Sequence, residues 1–224
     1  MKDLVNFAEV EKILNYKFKN KKLLQKALTH SSYSNEHKVE SNERLEFLGD
    51  AVVEFIITEI LYLDFKGKEG DLSKIRALVV SEKPLAETVD RLSLSKFLIK
   101  GIGESKNATE SKAIKCDLFE ALIGAIYLDG GIESAKQFFM FSLGHILEDI
   151  KLNGYVEDPK SKLQESLKQA KIVYSTSKTG ADHMPVYKTT VYVNDIKVGT
   201  GKGSNKKTAE ENAASMALNN LKNI

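Results

Sequence analysis

Through the first two-thirds of the chain, apolar residues recur at intervals of three and four, as in Val10, Ile13, Leu14 and then Leu23, Leu24, Ala27, Leu28. That is the period of helices with one face turned to a core. Pro84 is the only proline before residue 159, so little interrupts them. Caps and turns are expected at Ser41-Asn42, Gly67 to Gly70, Gly101-Ile-Gly103 and Gly130-Gly131. The pattern predicts an all-α domain of seven or more helices over residues 1–153.

After Asn153-Gly154 the period changes. A linker is expected over 154–157 and a second domain over 158–224. Asp158-Pro159 opens a helix expected to run to about Ala170, with proline at a tolerated first-turn position. Three β-rich runs follow: Ile172-Val-Tyr-Ser-Thr, Val186 to Val193, and Ile196-Lys-Val-Gly-Thr. Asn194-Asp195 between the last two reads as a hairpin turn. Ser204 or Asn205 should cap a final helix whose Ala213, Ala217 and Leu221 form one stripe. The predicted order is α-β-β-β-α, a small α+β domain.

Composition is that of a globular protein: 224 residues, 42% hydrophobic and 29% charged, which excludes bulk disorder and a coiled-coil rod. The net charge of +2 is unevenly placed, since residues 154–224 hold 11 lysines against 7 acids. A basic module beside a slightly acidic body is the expectation. Cys116 is the only cysteine, which excludes an internal disulfide and points to a reducing compartment. The N-terminus lacks the apolar core of a signal peptide, and the stretch Ala51 to Phe65 is broken by Glu54, Glu59 and Asp64. A cytoplasmic protein without a membrane span is predicted.

Two helices carry acids where apolar residues would be expected. Asn42-Glu-Arg-Leu-Glu-Phe-Leu-Gly-Asp50 places Glu46 and Asp50 on one helix face. Cys116-Asp-Leu-Phe-Glu-Ala-Leu-Ile-Gly-Ala-Ile-Tyr-Leu-Asp129 does the same for Asp117 and Glu120. Buried carboxylates need a positive partner or they take up protons. Gly49 and Gly124 would let the two helices approach closely. Four convergent carboxylates suit a hard cation such as Mg²⁺, able to activate water against a phosphodiester. An ion-pair cluster with Arg44, Arg76 or a lysine is the alternative at this stage. A di-iron site is disfavoured, because Ile123 stands where a Glu-x-x-His pattern would have histidine.

The segment Asn42 to Asp50 resembles the signature of the ribonuclease III family almost letter for letter. Asp117-Leu-Phe-Glu120 with its apolar continuation, Ala27-Leu-Thr-His-Ser-Ser-Tyr33 and Glu69 to Ala77 are similar to further segments of that family. Lys162-Leu-Gln-Glu165, His183-Met-Pro-Val-Tyr187, Gly199-Thr-Gly-Lys-Gly203 and Lys206-Lys-Thr-Ala209 resemble a double-stranded-RNA-binding domain. The resemblance spans essentially the whole chain, in order. It implies Mg²⁺-dependent hydrolysis of double-stranded RNA, with Mn²⁺ as a substitute and no organic cofactor. It further implies 5′-phosphate products with short 3′ overhangs, and roles in processing ribosomal RNA precursors and messenger or structured RNA.

By position, the resemblance makes Glu46, Asp50, Asp117 and Glu120 the metal ligands, with Asp50 and Glu120 foremost in catalysis. Glu43 and Glu69 match further acids near the cleavage site. Gln164 and His183 would reach successive minor grooves of an RNA duplex, while Lys206 and Lys207 would bind phosphate at a helix start. The family often has a basic residue where this chain has Glu210 and alanine where it has Cys116. His30, His37 and His145 are read as non-catalytic. A homodimer is implied: Phe47 resembles a residue that packs into the partner subunit, and Val52 to Leu61 offer more apolar surface than one core stripe needs. An inactive nuclease that only binds duplex RNA, and a Mg²⁺-dependent hydrolase of another phosphate ester, are the competing classes.

Overall fold

Asn6 and Asn20 open the first two helices through the chemistry that favours asparagine at such positions: each side-chain oxygen accepts a backbone N–H of the first turn, from Glu9 and Lys22 respectively. The computed structural model describes residues 5–102, 111–154, 159–179 and 185–222. The chain divides into two units, 1–154 and 155–224.

The first unit is all helical. It comprises α1 (Phe7–Leu14), α2 (Lys21–Ala27), α3 (Ser31–His37), α4 (Glu43–Asp64), α5 (Glu69–Val79), α6 (Glu82–Arg91), a 3-10 turn (Leu94–Phe97) and α7 (Lys112–Asn153). Helix α7 breaks at Gly131, whose φ of +80° lies where side chains are strained, so it is two arms. Asp129, just before the break, accepts hydrogen bonds from Tyr16 Oη and the backbone N–H groups of Lys19 and Asn20, each at 2.8 Å. One carboxylate thus fastens the α1–α2 connection to the end of the first arm. Burial together with Asp129 pushes the Tyr16 hydroxyl up to about 12.

The core forms where α4 lies along α7. Val53, Ile56 and Ile57 of α4 and Phe119, Leu122 and Ile126 of α7 are all buried, and the two helices pack on one another. At the crossing the two backbones touch. A Cβ on Gly49 would lie 1.8 Å from the Glu120 carbonyl oxygen, and one on Gly124 would lie 2.4 Å from that of Leu45. Only hydrogen at both positions permits this contact. A second link joins α6 to α7: buried Lys115 holds Asp90 at 2.8 Å. Among the described residues no helix is long and apolar enough to cross a membrane.

The second unit has the predicted order: α8 (Pro159–Ser166), β1 (Ile172–Thr179), β2 (Val186–Val193), β3 (Ile196–Gly203) and α9 (Lys206–Lys222). The sheet is antiparallel in the order β1-β2-β3. Asn194 and Asp195 both take positive φ, which is the backbone of a type I′ hairpin. Asn205 caps α9 by accepting from Thr208 N at 2.9 Å. Leu163, Val191, Ala213, Ala214 and Ala217 form the core, and the glycines at 199 and 201 let α9 lie directly on β3. The first helix is shorter than its expected end near Ala170. After Ser166 the bonds become Leu167 N to Gln164 O and Ala170 N to Leu167 O, turns that bring the chain round into β1.

The glycine contact is open to a paired test. Gly49→Ala should lower the stability of the first unit by at least about 2 kcal/mol, because the added methyl meets backbone rather than a movable side chain. Gly70→Ala, with nothing within 4 Å of the new methyl, should be neutral or stabilising by up to about 1 kcal/mol. Thermal melts of both variants check the pair, and equal losses would refute the role given to the crossing.

Candidate functional site

The crossing decides which side chains meet. Glu46 stands on α4 one turn before Gly49–Asp50, and Asp117 and Glu120 stand on the facing turn of α7. One carboxylate oxygen from each of Glu46, Asp117 and Glu120 lies within 4.8 Å of the other two. All three side chains are half-buried. Asp50 is exposed and falls outside this group of three. Its charge still acts there, pushing up the carboxyls of both Glu46 and Glu120.

The electrostatics are those of like charges held together. Burial, reinforced by the charges of Asp50, Asp117 and Glu46, pushes Glu120 up to about 7, although the Cys116 thiol 3.5 Å from Oε1 opposes this by donating to it. Glu46 is raised by burial and then by Asp117, Glu43 and Asp50. Asp117 is raised by burial, with the nearby His30 acting against it. Burial also pushes the Cys116 thiol up, so it stays a neutral donor.

The cations of the ion-pair alternative are engaged elsewhere. Arg76 pairs with Glu54 at 3.1 Å and donates to Thr58, Lys115 holds Asp90, and the charge of Arg44 bears on Glu40. Among the described residues no arginine or lysine forms an ion pair with Glu46, Asp50, Asp117 or Glu120. An oxygen-only cluster that retains protons for want of a counter-charge fits a hard divalent cation, which would relieve the repulsion that raises these carboxyls.

Glu43 and Glu69 fall on opposite sides of this picture. Glu43, in the first turn of α4, accepts from Ser41 Oγ at 2.8 Å and contributes charge to Glu46. Glu69 begins α5, accepts from Ser73 Oγ at 2.9 Å and lines a groove with Thr58, Tyr62 and Arg76. Thr58 is 12 residues beyond Glu46, about 18 Å along α4, so Glu69 is not part of the three-carboxylate group. Phe47 is 83% exposed and Phe55 55%, and a shallow apolar groove runs beside them over Leu48, Ala51, Val52, Tyr127 and Ile132.

Three neighbours of the site escaped the reading of the sequence as participants. Cys116 touches Glu120, and His30 bears on Asp117 from a ring whose Nδ1 lies 2.9 Å from Ser32 Oγ. Glu82, the first residue of α6, adds negative charge to Asp117 and Cys116. His30 had a signal in its place within the Ala27 to Tyr33 segment. Glu82 had none, since only packing brings α6 here.

In the second unit, Gln164 lines a groove with Lys160, Ser161, Tyr174, Lys207 and Glu211. Lys206 and Lys207 are exposed at the start of α9, each 3.8 Å from the acid one turn on, Glu210 and Glu211. His183 lies outside the described residues.

Comparison with known proteins gives a consistent result. A family model described as Ribonuclease-III-like matches residues 20–150, and the double-stranded RNA binding motif matches 159–221. A curated relative called Ribonuclease 3, from Clostridium perfringens, is 42% identical over 100% of this chain and 97% of its own length. Another, from Caldanaerobacter subterraneus, is 40% identical over 95% of this chain and 96% of its own. Among solved structures, the nuclease domain of ribonuclease III from Campylobacter jejuni is similar with a TM-score of 0.59 at 43% identity, covering 62% of this chain and 97% of that one. That structure concerns flexibility in a region involved in dimer formation.

The raised carboxyl of Glu120 has a measurable consequence in metal-free protein. Between its ordinary value of 4.5 and about 7, the folded state holds a proton that the unfolded chain has lost, so stability falls as pH rises through that window. Glu120→Gln removes the penalty. Melting in EDTA should therefore find the variant more stable than the parent at pH 8, by about 1–2 kcal/mol after allowance for solvent screening. The difference should close near pH 4.5. A variant less stable at pH 8 would contradict this account of the site.

Proposed function

The chain belongs to the ribonuclease III family, and from that premise we propose that it is an endoribonuclease hydrolysing phosphodiester bonds of double-stranded RNA with Mg²⁺, for which Mn²⁺ can substitute. The observation that carries the reading is the group of three carboxylates at the glycine crossing, drawn from two helices and, among the described residues, forming no ion pair with an arginine or lysine. Glu46, Asp117 and Glu120 would hold the ion, with Asp50 at the open side of the group. Bound there, a divalent cation would supply Lewis-acid polarisation of the scissile phosphate and ease deprotonation of the attacking water.

The remaining chemistry falls to the chain. Glu120, whose carboxyl burial and like charges push up to about 7 without metal, would give up its proton on binding the ion and hold it as a carboxylate. The Cys116 thiol, by donating to Glu120 Oε1, limits the directions that carboxylate can face. His30, held at the start of α3 by its Ser32 contact, keeps a ring beside Asp117. In the second unit, Gln164 offers a donor and an acceptor to 2′-hydroxyls, and Lys206 and Lys207 offer charge to phosphate. His183 is retained from the sequence as a contact to the next minor groove. Glu43 is retained as a further acid near the cleavage site, whereas Glu69, beside Thr58 far along α4, would reach a cleavage site only across the dimer.

A homodimer completes the reading. Phe47 and Phe55 lie two turns apart on α4, Phe55 at an apolar groove between α4 and α7, and such exposed apolar surface marks a contact. A two-fold axis there would offer one site to each strand of a duplex, giving 5′-phosphates and short 3′ overhangs. On the same reading the enzyme acts in the cytoplasm, on ribosomal RNA precursors and other structured transcripts.

Two experiments test this. Glu120→Gln should bind a long RNA duplex as the parent does yet fail to cut it in millimolar Mg²⁺, as read on a denaturing gel; undiminished turnover would remove Glu120 from the site. Phe47→Asp should sediment as a monomer with cleavage reduced by at least about tenfold, because a buried charge at an apolar contact opposes association. A parent protein that is monomeric at micromolar concentration would refute the dimer.

A further inference from the structure

One ion pair in the second unit joins two elements rather than two turns of one helix. Lys160 Nζ on α8 lies 2.5 Å from Glu210 Oε2 on α9, and the Glu210 side chain is only 12% exposed. The same ammonium sits 5.0 Å from the centre of the Tyr174 ring on β1. Lys206, one turn before Glu210, lies 3.8 Å from its other oxygen. Glu210 therefore sits inside the surface that would meet phosphate, where an acid by itself costs affinity.

Its position becomes intelligible from the weakness of α8. That helix has eight residues, and Leu163 is its one buried residue. A helix of this length does not hold itself together, and its apolar hold on the core is small, Leu163 with Leu167 just beyond its end. Lys160 and Gln164 are four apart and so share a face. Holding Lys160 between Glu210 and Tyr174 restrains the roll, and with it the direction in which Gln164, on the same face, meets the groove it lines with Ser161 and Lys207.

We propose that Glu210, acting through Lys160, is a positioning residue that aims Gln164 at the 2′-hydroxyls of a duplex and thereby sets the preference for RNA over DNA. This rests on the reading of the second unit as a binder of double-stranded RNA. The lysines cannot supply that preference, because phosphates are common to both nucleic acids. A hydroxyl contact can.

The test uses the full-length protein in EDTA with an RNA duplex and a DNA duplex of the same sequence, following fluorescence anisotropy across a salt series. The parent should bind RNA more tightly than DNA. Glu210→Gln should weaken RNA binding by about five- to tenfold, the scale of one or two hydrogen bonds. DNA binding should be unchanged or slightly tighter, since a negative charge has gone, and the salt slope should be kept because the phosphate contacts remain. Glu210→Asp retains the charge but withdraws from Lys160, and it should lose RNA preference as Glu210→Gln does. Lys160→Met combined with Glu210→Gln should cost no more RNA preference than the larger single change. RNA and DNA binding that both tighten in Glu210→Gln would show Glu210 to be a mere opponent of phosphate. Losing both alike would show a role in folding only. Either result overturns the proposal. A parent with no preference for RNA would instead overturn the reading of the unit itself.

Discussion

The backbones of α4 and α7 meet at Gly49 and Gly124, where any side chain would strike a carbonyl of the opposite helix. The acids take their places from that contact. Because the helices touch, residues one turn from the glycine on α4 face the first turns of α7 at carboxylate–carboxylate distance. Buried apolar residues of both helices, among them Val53 and Ile57 of α4 and Phe119 and Leu122 of α7, hold the helices together. Hydrophobic packing supplies the force, and the glycines decide how close it can bring the charges.

The result is a site under electrostatic tension. Glu46, Asp117 and Glu120 all bind protons more readily than free carboxyls, with burial the first cause for each. Such an arrangement lowers the stability of the metal-free fold once these carboxyls ionise, and a bound cation would relieve it. Local rules are broken where function is carried, and the core nearby compensates. The neutral thiol of Cys116 and the ring of His30 are small adjustments to this field, one orienting Glu120 and the other moderating Asp117.

The second unit uses close packing differently. Alternate glycines of β3 face the alanines of α9, so helix and sheet meet with almost no side chain between them. That seats α9, with Lys206 and Lys207 at its start, on the sheet, whereas α8 reaches the core chiefly through Leu163. The ion pair of Lys160 with Glu210 supplies what the small core cannot, a directional link between the two helices. Direction matters on a surface that reads hydroxyls, whereas phosphate attraction tolerates looseness.

Much was already determined by the order of residues along the chain. The change of period near Asn153, the hairpin at Asn194-Asp195, the cap at Asn205 and the pairing of acids within each helix are all local, and local spacing expresses them. That Gly49 and Gly124 would let the two helices approach was legible too, because each is a residue without a side chain within one turn of an acid, Asp50 or Glu120. What no spacing could show is which atoms meet across elements. Asp50 shares a face with Glu46 yet stays in solvent, Glu69 begins a helix at the far end of α4, and Glu82 reaches Asp117 from a third helix. In the sequence Glu210 is only an acid among lysines, and the fold sets Lys160 against it. These are long-range contacts, and they depend on helix crossing points and rolls that only the packed tertiary structure sets, because the energy of packing is shared among many residues distant in sequence.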